Sequence, residues 1–271
     1  MIDPRTPIAQ RQWLSVILIG LIALLGLIAF GYPFFLAALP AESVSGAHTT
    51  DAPLIFGALM LLLLLQIVAE LNSHQMNAKI IAALGILTAI NAVLRLPTGI
   101  GDSPTFFFLP ILLGYAYGAR FGFLHGALSL FVSALLTVGI GPWLPFQMFA
   151  MGWLGMGAAA LRPLRLRAGG WLEIGALIVY SYIGCMLFGA LMNIYSWPFQ
   201  VGESGISWQP GLSLLETTRR YWAFYVLTGS LAWDALRALS TAALIAALGR
   251  PLLRELRRFH ARFFWLAESR A

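Results

Sequence analysis

The chain has 271 residues, of which 59% are apolar and only 10% charged, against about 25% charged in an ordinary soluble domain. So little polar surface excludes a water-facing globule, and the hydrophobicity excludes a chain left disordered in water. The net charge of +6 does not mark a nucleic-acid partner, because the arginines sit at the ends of apolar runs and in the C-terminal tail instead of along one solvated stripe.

In chain order, the apolar runs predict eight transmembrane helices, at 13–38, 53–70, 78–95, 103–119, 121–139, 143–161, 171–194 and 221–248. Crossing the hydrocarbon core takes about 20 apolar residues. Uninterrupted runs satisfy backbone groups in lipid only as helices, so the fold class is an all-α polytopic bundle. The first run follows Arg5 and Arg11 but far exceeds the roughly 7–15 apolar residues of a signal peptide, and reads as an uncleaved span. Arg120 alone separates the fourth run from the fifth, which predicts a tight helical hairpin.

Orientation follows from the basic residues. With both termini cytoplasmic, the inner segments collect Arg5, Arg11, Lys79, Arg120, Arg162, Arg165, Arg167 and the tail arginines, whereas the outer segments hold only Arg95, Arg219 and Arg220. Three outer connections are rich in Gly and Pro: 96–104, 139–145 and 195–220. Gly and Pro impose non-helical turns there. Trp143, Trp197, Trp208 and Trp222 gather at that face and suggest the walls and lid of a pocket, although an interfacial aromatic belt uses the same residue type.

Small residues recur four apart at Gly114/Gly118, Gly122/Gly126, Gly155/Ala159 and Gly85/Ala89, the last pair beside Ala82. Such faces let helices approach closely in lipid; most serve packing within the chain, with docking of a partner helix the alternative for one of them. Ionisable residues inside spans are costly. Asp234 and Arg237, three apart, are expected to neutralise each other. Glu173 is expected to reach the interface, and His125 to be buried and hydrogen-bonded. Asn91, Arg95, Gln147 and Asn193 bring polar atoms to the outer helix ends and are the better candidates for ligand contacts. After Pro251, apolar Leu252, Leu256, Phe259 and Phe263 alternate with arginines, which predicts an amphipathic helix on the inner leaflet.

Nothing in the sequence predicts an enzyme or a metal site. The histidines are scattered, and the single cysteine, Cys185, permits no intrachain disulfide. Gly202-Glu-Ser-Gly205 matches a G-x-S-G motif, but no histidine falls where a triad would need it. No phosphate loop is present, so energy for any pumping must come from a partner or an ion gradient.

The stretch from Phe106 to Gly126, with Pro110, Gly114, Gly118, Arg120 and Gly122, together with residues 139–158 (GIGPWLPFQMFAMGWLGMGA), resembles the substrate-binding S components of energy-coupling factor (ECF) vitamin transporters, and most of all the cobalamin-type group. The resemblance covers roughly 73–250. It implies a six-helix substrate-binding core at 73–249, an N-terminal extension of two helices at 1–72 and a cytoplasmic basic tail at 250–271. It further implies capture of a vitamin from outside, with cobalamin first and another vitamin or heterocyclic precursor second. Partners would be a transmembrane coupling subunit and two cytoplasmic ATPases, with no cofactor. Expected ligand contacts are Asn91, Arg95, Asp102, Trp143, Gln147, Met151, Asn193, Trp197 and Trp208. Ala82, Gly85 and Ala89 would face the coupling subunit. The alternative is a stand-alone carrier or structural membrane protein without ATPase partners.

Overall fold

The computed structural model describes residues 8–36, 47–72, 78–97, 104–200 and 205–268. Nine α-helices occur in these segments: α1 Ile8–Gly31, α2 Ala52–Asn72, α3 Ala78–Leu94, α4 Pro104–Tyr117, α5 Ala119–Leu136, α6 Leu144–Ala158, α7 Trp171–Ser196, α8 Leu214–Leu227 and α9 Ser230–Glu268. Six stretches, belonging to α1, α2, α5, α6, α7 and α9, are long and apolar enough to cross a membrane, and α3 and α4 are shorter apolar helices. Large apolar side chains such as Ile28, Leu61, Leu64, Val179, Ile183 and Leu187 lie exposed on these helices. Water would not tolerate so continuous an apolar surface, whereas lipid requires it.

Helices α4, α5 and α6 form the centre because glycine lets their backbones touch. A methyl group added at Gly114 would overlap the carbonyl oxygen of Gly155; one at Gly122 would meet Gly114 and Gly155, and one at Gly126 would meet the Met151 carbonyl. The small-residue faces of these helices are therefore used inside the molecule. The α4–α5 hairpin turns at Gly118, whose φ of +104° suits a residue without a Cβ. Around this centre α3 packs on α5, α9 packs on α4 and α7, and the α1–α2 hairpin lies against α6.

Two boundaries differ from the sequence expectation. The span placed at 221–248 is cut by Thr228–Gly229, with Gly229 at φ +77°; the residues before the break belong to α8 and the spanning helix begins at Ser230. Helix α8 starts seven residues earlier than the expected span because Ser213 caps it, accepting from the Glu216 amide at 3.3 Å, an S-x-x-E start signal inside the stretch read as a loop. The tail is not a separate helix. Pro251 lies within α9, which continues without interruption. Its far part is tied to the bundle where Tyr117 donates to the Leu256 carbonyl at 3.1 Å and stacks on His260.

Glu173 does not reach out to the interface either. It is 1% exposed and bonded to Tyr115 at 2.7 Å, to the Gly169 amide at 2.8 Å and to Arg257 of α9. A buried carboxylate needs such a set of donors. His125 is fully buried, as expected, with Ser129 Oγ 3.4 Å from its Nε2.

Candidate ligand cavity

Helices α1, α3, α5 and α7 end, and α2, α4, α6 and α9 begin, at one end of the bundle. A cavity of about 470 Å³ opens there. Arg95 closes α3 on one side, Phe106 and Phe107 come from the start of α4, Gln147 and Met151 from the first turns of α6, and Phe188, Gly189, Met192 and Asn193 from the last turns of α7. The α8–α9 junction completes the wall with Thr228, Gly229, Ser230, Trp233, Asp234 and Arg237.

The charged groups are held by their neighbours. Arg95 donates to Ser133 at 2.9 Å and lies 5.6 Å from the Phe106 ring centre. Arg237 donates to Asp234 Oδ1 at 2.6 Å, and Tyr225 donates to Asp234 Oδ2 at 2.8 Å. The same guanidinium sits 5.2 Å from the Phe107 ring centre and 5.6 Å from that of Phe188, while its Nε is buried without a hydrogen-bond partner. Gly189 is required beside this pair, since a Cβ there would overlap the Asp234 carboxylate. Asn193 spends its amide nitrogen on the Gly189 carbonyl at 2.9 Å. The wall thus offers amide, guanidinium and carboxylate groups between aromatic faces, the mixture of few polar anchors and apolar lining that orients a small ligand.

Four of the sequence candidates, Arg95, Gln147, Met151 and Asn193, meet in this wall. Four others do not. Asn91 is fully buried one turn before Arg95, and neither of its side-chain polar atoms has a hydrogen-bond partner. Trp143 is exposed and donates to Gly139 of its own turn at 3.3 Å. Trp197 and Trp208 form a separate cluster with Phe224, in which Trp197 donates to the Ile206 carbonyl at 2.8 Å. Asp102 lies outside the described residues.

Sequence reasoning treated Asp234 and Arg237 as a purely structural pair and passed over Phe107, Phe188 and Trp233. The signal for the pair was present, because ionisable residues at membrane depth face interiors or cavities. Of the small-residue faces, that of α3 alone lies outside the bundle: Ala82, Gly85 and Ala89 are exposed, and a Cβ at Gly85 would meet nothing. No cluster of metal-ligating side chains occurs among the described residues.

An apolar helical bundle with a polar, aromatic-lined cavity sunk into one end is a multi-pass membrane protein built to bind a small molecule. Residues 79–249 match the family model described as ECF transporter, substrate-specific component. The chain belongs to that family, whose members are substrate-binding subunits of transporters and not enzymes. No curated protein matches the chain, and no solved structure does.

Proposed function

We propose that the cavity bounded by Arg95, Gln147, Asn193 and the Asp234–Arg237 pair captures a vitamin-sized ligand from outside the cell. The chain hands that ligand inward through a coupling subunit driven by two partner ATPases. The observation that carries this reading is the convergence of polar side chains from α3, α6, α7 and α9 on one aromatic-lined cavity at the end of the bundle poor in basic residues. The opposite end holds Arg120, Arg162, Arg165, Arg167 and Arg257, which supports a cytoplasmic position for it by the basic-residue rule. Both chain termini then lie on that side, and residues 1–72, 73–249 and 250–271 serve as added hairpin, binding core and cytoplasmic tail.

Size argues for the smaller class of ligand. At about 470 Å³ the cavity falls in the lower half of the roughly 300–1,000 Å³ that suits drug-sized molecules. A corrinoid with its nucleotide loop is larger than such a cavity. A single heterocycle with a polar substituent is the better match in size. Coupling is assigned to the exposed α3 stripe of Ala82, Gly85 and Ala89, next to a groove of about 560 Å³ between α3 and α9. Isothermal calorimetry of the purified protein against cobalamin and a panel of smaller vitamins tests the ligand. Binding of a smaller vitamin at micromolar concentration or below is the expected result, and no binding by any member removes the assignment. Co-purification from the native host tests the partners.

A further inference from the structure

The α1–α2 hairpin lies outside the stretch that matches the family, yet it is attached to the core at three levels. At the arginine-rich end, Ser15, Gln66 and Glu70 are buried together. Gln66 Nε2 lies 2.7 Å from Ser15 Oγ, and Arg120 of α5 reaches Ser15 at 3.0 Å and Glu70 at 3.1 Å. Midway, Gly26 leaves room for Phe149 and Trp153 of α6. At the cavity end, Phe30 meets Phe146 edge-on at 5.1 Å.

The cavity end carries the informative contacts. His48, at φ +60° and 3% exposed, is enclosed by Phe146, Phe199 and Tyr195, with ring centres 4.4, 4.7 and 4.8 Å away. Its Nδ1 is 2.8 Å from Asp51, and Tyr195 donates to the Ala47 carbonyl at 3.3 Å. Phe34 lies 5.9 Å from the Trp197 ring and 5.6 Å from that of Trp208. Tyr195, Trp197, Phe199 and Trp208 all belong to the chain that leaves one cavity wall at Asn193 and rejoins the other at Thr228. A non-glycine residue held in the left-handed region is strained and persists where its surroundings fix it. The aromatic enclosure of His48 supplies that fixation.

We propose that the α1–α2 hairpin is a brace for the cavity, with Phe34 and His48 as positioning residues that hold Tyr195, Trp197, Phe199 and Trp208, on the chain just beyond the Asn193 wall, in place. This rests on the cavity being the substrate site, but its test needs no ligand. In the full-length protein, Ser230→Cys places a thiol in the cavity wall, where its rate of reaction with N-ethylmaleimide reports opening; the native Cys185 is fully buried. Phe34→Ala and His48→Ala are expected to speed that labelling about tenfold by loosening this stretch of chain. Phe34→Leu, which keeps an apolar side chain against Trp197 and Trp208, should restore most of the original rate. Phe56→Ala, on α2 away from the cluster, serves as the control for general loosening. Unchanged labelling in both alanine variants overturns the proposal, as does an equal rise in the Phe56→Ala control. Should Phe34→Ala fail to fold, the His48→Ala and Phe34→Leu rates decide by the same criteria. A failed vitamin panel would leave the labelling result standing, so the two readings fail separately.

Discussion

The guanidinium of Arg237 and the carboxylate of Asp234, one turn apart on α9, meet at 2.6 Å in the cavity wall with both residues largely buried. Removing one partner of a buried ion pair leaves the other uncompensated, at about 3–5 kcal/mol. Arg237→Met should therefore lower the thermal midpoint in detergent sharply. Adding Asp234→Asn should recover most of that loss, because a neutral pair of similar volume carries no stranded charge. Ligand binding should stay impaired in the recovered double variant, as calorimetry would show. Recovery of binding along with stability would make the pair a structural device only.

The remaining cavity contacts predict graded effects. Arg95→Ala, Gln147→Leu and Asn193→Leu each remove a polar group facing the cavity and should weaken binding by about tenfold to a hundredfold, the range of one lost ligand hydrogen bond. Trp143→Phe, on an exposed turn, should leave affinity within about twofold. Titration calorimetry on the four variants compares them directly.

Two glycines separate internal packing from external docking. Gly155→Ala forces a side chain onto the Gly122 carbonyl and should destabilise the bundle by about 1–3 kcal/mol or more, since overpacked backbone contacts cannot relax cheaply. Gly85→Leu meets empty space, so its melting temperature and ligand affinity should match wild type. Uptake into cells or reconstituted vesicles should nevertheless fall. Loss of affinity in Gly85→Leu would remove α3 as the coupling face.

Asp51, in the turn between α1 and α2, gives a pH signature. Burial alone would raise its carboxyl, but hydrogen bonds from His48 and Tyr32 outweigh that and hold it below its ordinary value of 3.8. A carboxyl depressed in the folded state stabilises the fold above its unfolded pKa and loses that contribution as pH falls through the folded pKa. Wild-type protein should accordingly lose a few degrees of Tm as the pH drops below about 4. Asp51→Asn should start lower at neutral pH and show a flatter acid limb.

The apolar runs made the spanning helices legible, because hydrophobic length decides which segments enter lipid. Their glycine spacing also marked faces able to take a close helix contact. What the sequence hid was the use of each glycine face: Gly85/Ala89 and Gly155/Ala159 look alike on paper, and only the positions of neighbouring helices distinguish an outward stripe from a backbone crossing. The α8–α9 break was missed because Gly229 is one glycine among 27, and hydropathy averages straight across it. Most of the cavity wall went unread for a related reason. Phe106, Phe107 and Phe188 look like ordinary lipid-facing or core residues until three-dimensional packing turns them toward Arg95 and Arg237. Trp143, Trp197 and Trp208 misled in the opposite direction: these loop tryptophans drew attention as pocket walls, yet none of them lines the cavity, whereas Trp233 does.

The 39 residues of α9 make a rod about 58 Å long, nearly twice the hydrocarbon thickness of about 30 Å. Arg237, near its first turns, and Arg257, which grips Glu173, stand about 30 Å apart along it. On the proposed function, a ligand that tilts this rod at the cavity end would displace its far end as well, and occupancy on one side of the membrane would then be legible on the other to a partner that never touches the cargo.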